Sequence, residues 1–276
     1  MDLAKVKLVV SDMDGTLLNT KGEVSAEFFQ LYKQLKNLGV HFVAASGRQY
    51  FSMIDKLEPI KNDIIIIAEN GGIAKRQEEE LLTQTLPIAH VHELIKKLRK
   101  IDDAYIVLCG KKQAYVESKR EDFLNYFSEY YLAYEQVEDL LQVTDDEFLK
   151  IAVYSFNGSE ETTYPHFQKV ENDIKVKVSG KNWLDLSHTD AHKGNALGIV
   201  QKILHISEDE TMVFGDYNND LEMMSMGHFS YAMKNAHPNV IENARYMTED
   251  NDNLGVERIL RELVAKKTEA LAANGG

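Results

Sequence analysis

The chain has 276 residues, of which 44% are hydrophobic, and its formal net charge is −13 at pH 7. This length is enough for one large domain or two ordinary domains with a buried core. The negative charge argues against non-specific binding to nucleic acid or anionic membranes, because both reward clusters of lysine and arginine. No apolar run reaches the ~18–20 residues that cross a bilayer, and the first residues lack the pattern of a secretory signal. We therefore expect a cytoplasmic protein.

The single cysteine, Cys109, lies in the apolar stretch YIVLCG. It has no partner for an internal disulfide, and a small buried strand residue is a simpler interpretation than a catalytic thiol. We therefore expect no redox chemistry.

The first part of the chain alternates between strand and helix patterns. In order, these are a strand in KVKLVVS, a helix that begins after Ser25 and ends at Gly39, a strand in VHFVAAS, a helix over 49–57 and a strand in DIIIIAENGG. Apolar residues at helical spacing define the first helix, and the strands are nearly continuous apolar runs. Short connections between alternating elements predict right-handed crossovers and a parallel sheet.

After Gly72 the pattern changes. The stretch GIAKRQEEELLTQTL predicts a hairpin with Glu78–Glu80 at its solvated tip, and residues 88–186 mix helices such as HELIKKLRKI with strands such as FLKIAVYSF. From Lys193 the earlier pattern returns with the helix KGNALGIVQKIL, the strand TMVFGD, a helix containing core methionines at 223–226, the strand FSYAM and a last helix from about Leu254 to Lys267. We predict an α/β core with a doubly wound, mostly parallel sheet, formed by residues 1–83 and 186–276. A smaller α/β cap, residues 84–185, is inserted into it.

Polar residues follow three of the predicted core strands, in VVSDMDGT, VAASGR and VFGDYNND. Ligands of doubly wound sheets bind at these carboxyl ends. Asp12 and Asp14 lie on the same side of an extended backbone, and Gly15 permits a tight turn whose amides can bind an anion. Asp216 and Asp220 add two carboxylates, which a hard cation such as Mg²⁺ would offset.

Residues that suit a phosphate group accompany these carboxylates. Lys193 begins a predicted helix, so its ammonium and the first helix amides can hold a phosphate together. Ser46 and Gly47 offer a hydroxyl and a further amide. Arg48 either adds charge to the site or is a surface cation of the next helix.

The segments DMDGTLL, SGR, HKGNAL and GDYNND, in this order, resemble the four motifs of the haloacid dehalogenase superfamily of phosphohydrolases. The long insert and the preceding ENGG resemble its Cof-type branch, which has an α/β cap. The resemblance implies that Asp12 is the nucleophile, that Asp14 is the general acid and base, and that its main-chain carbonyl binds Mg²⁺. It further implies that Asp216 completes the metal site and that Asp220 orients either the metal's waters or Lys193. The implied ligands of the phosphoryl oxygens are the side chains of Ser46, Lys193 and Asn219 and the amides of Met13 and Gly47.

The implied activity is a Mg²⁺-dependent phosphatase acting on a small phosphorylated metabolite, either a sugar phosphate or a monophosphate of a nucleotide or cofactor pathway. The cap would close over the site and exclude water. One alternative is a phosphomutase or phosphotransferase with the same nucleophile. A non-catalytic regulator that binds a phosphorylated ligand is a second, although the intact Asp12, Asp14 and Lys193 argue against it. Neither the substrate nor the oligomeric state follows from the sequence.

Two features have more than one interpretation. His188, Asp190 and His192 form either a second metal site or a polar loop, and we favour the loop. Trp183 is either a platform for the substrate or a strand residue packed in the core, and we favour core packing.

Overall fold

A computed structural model describes residues 2–167 and 173–274. The strands in these ranges are β1 (Leu8–Asp12), β2 (His41–Ala45), β3 (Ile65–Ala68), β4 (Ile73–Arg76), β5 (Glu79–Thr83), β6 (Tyr105–Gly110), β7 (Ala114–Val116), β8 (Tyr134–Gln136), β9 (Phe148–Tyr154), β10 (Ile174–Gly180), β11 (Trp183–His188), β12 (Thr211–Gly215), β13 (Phe229–Ala232) and β14 (Tyr246–Met247). The α-helices there are α1 (Ala26–Asn37), α2 (Tyr50–Lys56), α3 (Ile88–Leu98), α4 (Glu121–Ser128), α5 (Ser159–Thr162), α6 (Lys193–Leu204), α7 (Leu221–Met224), α8 (Pro238–Asn243) and α9 (Gly255–Asn274).

The larger sheet has the strand order β14-β13-β12-β1-β2-β3-β4-β5. Neighbouring strands from β14 to β3 are parallel, and β4 and β5 add an antiparallel hairpin. Every residue of β1 is buried, which explains why this strand is an apolar run without alternation. The predicted doubly wound, mostly parallel sheet is therefore confirmed.

Local signals in the sequence set the first helix. The Ser25 hydroxyl accepts a hydrogen bond from the Phe28 amide at 3.0 Å, which caps α1 at its first turn. Gly39 follows the helix with a φ of +73°, a conformation that favours glycine. The buried face of α1 includes Phe28, Leu31 and Leu35, whose spacing matches the helical period.

The second sheet has the order β10-β11-β9-β6-β7-β8, with parallel pairing only between β7 and β8 among its described strands. One of its faces carries an aliphatic cluster with α3, and the other carries an aromatic cluster with α4.

Cys109 is buried in β6, as expected, and burial raises the pKa of its thiol well above the ordinary value. A low-pKa catalytic thiol is thereby disfavoured.

The C-terminal helix is longer than predicted. It continues to Asn274, so the expected end near Lys267 was wrong. Glutamate, leucine and alanine dominate this stretch, and each has high helix propensity.

Met223 and Met224 are buried in the core, as expected. Among the helices of the described ranges, none has the length and apolarity that a membrane-spanning segment needs.

Candidate active site

The carboxyl ends of the parallel strands meet beside a cavity of about 460 Å³ that both sheets line. Asp12 ends β1, Ser46 follows β2, and Asp216 follows β12. Lys193 begins α6. Because parallel strands end at one edge of a sheet, residues that are distant in the sequence come together here.

Lys193 joins two carboxylates at the bottom of the site. Its Nζ lies 2.5 Å from Asp12 Oδ1 and 2.7 Å from Asp220 Oδ1, and its side chain is fully buried. Burial opposes the charge of Lys193, but the two carboxylates outweigh it and raise the lysine pKa. Asp220 Oδ2 accepts hydrogen bonds from the amides of Asp216 and Tyr217 at 3.0 and 3.1 Å. Both oxygens of Asp220 therefore already have partners, and this residue fixes Lys193.

Carboxylate oxygens of Asp12, Asp216 and Asp220 lie within 4.8 Å of one another. Burial raises the pKa of Asp12 well above its ordinary value although Lys193 opposes the shift, and burial together with Asp220 raises the pKa of Asp216 to about 7. Crowded buried carboxylates of this kind favour a divalent cation that prefers oxygen ligands. Since the Asp220 oxygens are engaged by Lys193 and main-chain amides, Asp12 and Asp216 are the carboxylates that fit such a cation.

The turn after β1 is shaped around Asp216. Gly15 has a φ of +78°, and a side chain at this position would collide with the Asp216 carboxylate. The Thr16 hydroxyl donates to Asp216 Oδ1 at 3.2 Å. The Met13 side chain is buried, and its carbonyl accepts hydrogen bonds from the Thr16 and Leu18 amides. The DMDGT segment thus forms a compact turn against the second acidic segment.

Arg48 holds Asp14 through two hydrogen bonds. Its Nε and Nη2 donate to Asp14 Oδ2 and Oδ1 at 2.7 and 2.6 Å. Its Nη1 donates to the Glu129 carbonyl at 2.7 Å, and its guanidinium lies 4.7 Å from the centre of the Tyr130 ring. The Arg48 side chain is 7% exposed, so the alternative of a surface cation was wrong. Arginine here joins a site carboxylate to a segment that follows α4.

Three of the residues expected to bind the phosphoryl oxygens lie around the same cavity. Ser46, Gly47 and Asn219 line it together with Asp12 and Asp14. Ser46 Oγ accepts a hydrogen bond from the Arg48 amide at 3.1 Å, which closes the turn after β2. The Met13 and Gly47 amides remain predicted ligands.

The histidines before α6 have structural partners. His192 Nδ1 accepts from the Asn195 amide at 3.1 Å and caps α6, and His188 Nδ1 accepts from the Asp190 amide at 3.2 Å. In the ranges that the structure describes, the group of side chains suited to a metal is the Asp12 cluster, and these histidines are outside it. This arrangement favours the polar-loop interpretation.

The cavity is also lined by Asn70, Lys150 and Asp185, which were not predicted from the sequence as site residues. A signal was present, because Lys150 and Asp185 interrupt the apolar strands FLKIAVY and WLDLS, where an unpaired charge would be costly. Trp183 lines the cavity and also contacts Tyr154 with ring centres 5.0 Å apart. Trp183 thus packs against an aromatic neighbour and also borders the cavity, and its role as a platform for the substrate stays a prediction.

The fold, the ordered motifs and the acidic site define the class of protein. A family model described as haloacid dehalogenase-like hydrolase matches residues 9–260, so the chain belongs to this family. The resemblance drawn from the four motifs is confirmed, and the protein is a phosphatase of the family.

Individual relatives cover nearly the whole chain. It is 34% identical over 257 residues to the 5-amino-6-(5-phospho-D-ribitylamino)uracil phosphatase YbjI of Escherichia coli (strain K12), a match that covers 91% of this chain and 93% of that protein. The phosphatase YwtE of Bacillus subtilis (strain 168), which has the same substrate in its name, is 25% identical over 291 residues and the match covers 94% and 99% of the two chains. The crystal structure of SMU.1108c from Streptococcus mutans UA159 matches with a TM-score of 0.87 and 27% identity, covering 94% of this chain and 99% of that one.

Proposed function

We propose that the protein is a Mg²⁺-dependent phosphatase that hydrolyses a small phosphate monoester through an aspartyl phosphate on Asp12. The observation that carries this proposal is the buried Lys193, which bonds both Asp220 and Asp12, the carboxylate that lines the cavity. Lys193 occupies Asp12 Oδ1, which leaves Oδ2 as the oxygen for nucleophilic attack. Lys193 also places a positive charge where the phosphoryl group gains negative charge during transfer.

In the first step, Asp12 Oδ2 forms a bond to phosphorus and the bond to the ester oxygen breaks. Asp14 gives a proton to the leaving oxygen and later takes one from the attacking water, which releases phosphate and restores Asp12. Because Arg48 holds both Asp14 oxygens, proton transfer requires that Arg48 release one of them. A Mg²⁺ ion held by Asp12, Asp216 and the Asp14 carbonyl would neutralise charge on the phosphoryl oxygens.

We propose that the phosphoryl oxygens are bound by the side chains of Ser46, Lys193 and Asn219 and by the Met13 and Gly47 amides. Asp220 supports Lys193 and is not itself a ligand. Residues 84–185 are the proposed cap over a core of residues 1–83 and 186–276. The cytoplasmic location and the absence of nucleic-acid and membrane partners stay predictions from composition.

Aromatic side chains on the second sheet, on α4 and just after α4 suit a substrate that carries a planar ring. Tyr126, Tyr130, Tyr154 and Trp183 line the cavity, and the Tyr126 and Tyr154 rings stack with centres 5.7 Å apart. Tyr126 is 51% exposed, so much of its ring remains available to a ligand. The two named relatives act on a phosphorylated ribityl chain joined to a uracil ring. We propose a substrate of this class, a phosphorylated polyol attached to a flat heterocycle.

Phosphate release tests both parts of the proposal. We expect Mg²⁺-dependent release from 5-amino-6-(5-phospho-D-ribitylamino)uracil and a lower kcat/KM for ribitol 5-phosphate, which lacks the ring. Tyr126→Ala should raise KM for the ring substrate roughly 2- to 10-fold through lost stacking and leave the values for ribitol 5-phosphate nearly unchanged. Tyr134→Ala is the matched control, because Tyr134 is 42% exposed and is not among the residues that line this cavity.

Three outcomes would contradict these assignments separately. Absence of phosphate release from every ester tested would remove the phosphatase proposal for these substrates. Transfer of the phosphoryl group to a second substrate without free phosphate would identify the phosphotransferase alternative. Equal kcat/KM values with and without the ring would remove the aromatic recognition.

A further inference from the structure

A buried ionic cluster lies where the two sheets meet, and the mechanism above does not use it. Lys150 of β9 has its Nζ 3.1 Å from Asp185 Oδ2 of β11 and 3.0 Å from Glu69 Oε2, which follows β3. The three side chains are 3%, 5% and 2% exposed. Burial disfavours the charge of Lys150, but the carboxylates outweigh it and raise its pKa. Burying such a lysine is costly unless ion pairs and hydrogen bonds compensate for the hydration that it loses.

Lys150 reaches the phosphate-binding turn directly. Its Nζ donates a hydrogen bond to the Gly47 carbonyl at 3.0 Å. This contact crosses from the second sheet to the turn after β2, and Gly47 is one of the proposed phosphoryl ligands. The position of that turn therefore depends on a residue more than 100 positions away in the sequence.

Asn70 connects the same cluster to a second proposed ligand. Asn70 Nδ2 donates to Asp185 Oδ2 at 2.7 Å, and Asn70 Oδ1 accepts from Asn219 Nδ2 at 3.0 Å. A carboxylate beside the Lys150 ammonium only accepts hydrogen bonds, so Asp185 forces the Asn70 amide to present its nitrogen. The Asn70 oxygen must then face Asn219. These contacts use one N–H of Asn219 Nδ2, so the second N–H and Oδ1 of that amide are left for the cavity.

Asn70 is also tightly constrained. Its φ and ψ are 55° and 31°, a left-handed conformation that few residues other than glycine adopt, and the preceding Glu69 also has a positive φ of 52°. A side chain added at Gly47 would come within 3.0 Å of Asn70 Nδ2, so the Asn70 amide lies against this glycine. Asn70 thus contacts Gly47 as well as Asn219.

We propose that Asn70 is a positioning residue, held by Asp185 and Lys150, which orients Asn219 and supports the turn at Gly47. Through these contacts the second sheet sets the shape of the phosphoryl pocket in the first. The inference rests on the proposed function, because it needs Asn219 and Gly47 to bind the phosphoryl group. Asn70 itself takes no part in bond making or proton transfer.

The test measures the inhibition constant of inorganic phosphate, together with kcat and KM for p-nitrophenyl phosphate and the melting temperature of each variant. Asn70→Gly suits the left-handed backbone and removes the amide, so it should fold. We expect phosphate to bind it about 10- to 100-fold more weakly, with a corresponding loss in kcat/KM. The matched control is Asn239→Asp, because Asn239 donates to Asn218 at 3.0 Å in an exposed pair of asparagines.

An exchange of the two polar partners gives a second, independent measurement. Asn70→Asp places a second carboxylate against that of Asp185. It should weaken phosphate binding about as much as Asn70→Gly does. Adding Asp185→Asn restores one donor and one acceptor with the same total charge, so the double variant should recover phosphate binding to within about threefold of the wild type. A purely structural role would lower the melting temperature and leave the phosphate constant of folded protein unchanged.

Unchanged phosphate binding in folded Asn70→Gly would overturn the inference. A double variant that binds phosphate no better than folded Asn70→Asp would also overturn it, and if Asn70→Asp does not fold, the Asn70→Gly result decides. The proposed function fails in a different way, through a wild-type protein that releases no phosphate or an Asp12→Asn variant that stays active. With those two controls as expected, a negative result at Asn70 removes only the positioning role.

Discussion

Replacing Lys193 by methionine tests the charge balance of the site. Methionine retains much of the length of the lysine side chain and removes its charge. Lys193 is fully buried and bonds two carboxylates, Asp12 and Asp220, at 2.5 and 2.7 Å. Lys193→Met therefore leaves both carboxylates buried without their cation. Solvent gives little compensation, since the Asp12 and Asp220 side chains are 6% and 1% exposed.

Loss of one partner of a buried ion pair costs about 3–5 kcal/mol in stability. Each kcal/mol lowers the melting temperature of a domain of this size by roughly 2–4 °C, so we expect a fall of roughly 6–20 °C in metal-free protein. Turnover should fall by about 10²–10³-fold, which is typical for removal of one preorganised group that stabilises the transition state. Mg²⁺ should recover part of the stability, because it binds the folded state through the same carboxylates.

The measurement combines thermal unfolding at pH 8, with and without Mg²⁺, and phosphate release. Lys111→Met is the matched control, because Lys111 also lies 2.9 Å from two carboxylates, those of Glu80 and Glu147, but on the surface. That variant should lose at most about 1 kcal/mol. A Lys193→Met protein that melts within the range of the control and keeps its kcat/KM would refute the reasoning.

The nucleophile, the proton donor and the metal give four further predictions. Rapid mixing of Asp14→Asn with p-nitrophenyl phosphate should give a nitrophenol burst near one equivalent per site, whereas Asp12→Asn should give none. Equal bursts from the two variants would exclude Asp12 as the nucleophile. Arg48→Gln should slow the hydrolysis of alkyl phosphates about 10- to 100-fold more than that of aryl phosphates, because poor leaving groups depend most on a correctly placed Asp14. Arg48→Lys should not restore the rate. Chelation should abolish turnover, with Mg²⁺ restoring it and Ca²⁺ doing so poorly. The affinity for Mg²⁺ should fall roughly tenfold from pH 8 to pH 6, because protons compete for Asp216, whose pKa is about 7; pH-independent activation by Mg²⁺ would contradict this.

Periodicity and local signals in the sequence predicted most of the larger sheet. The Ser25 cap, the glycine after α1 and the apolar strand runs are local features, so they were readable without knowledge of the fold. The end of α9 was misplaced because nothing in EALAAN stops a helix, and only the surroundings decide how far such a helix continues. Short strands such as β7 and β14 owe their pairing to neighbours and left too little pattern to detect.

Prediction of the site succeeded where motifs lie at strand ends and failed where partners come from the second sheet. Asp12 and Lys193 were identified from their positions at element ends. Arg48 was left with two interpretations because its partners include the Glu129 carbonyl, whose proximity depends on the packing of the two sheets. Lys150 was passed over because it looks like an ordinary strand residue until its buried carboxylate partners are known.

The strand order also has a consequence for how the protein forms during synthesis. β1 pairs with β2, which follows closely, and with β12, which begins at Thr211. One edge of β1 therefore stays open until the ribosome has made most of the chain, and an open apolar strand edge invites aggregation. The described strands of the second sheet lie between Tyr105 and His188, so they can pair before the first sheet closes. We consequently expect the N-terminal strands to be the segments that need a chaperone during translation.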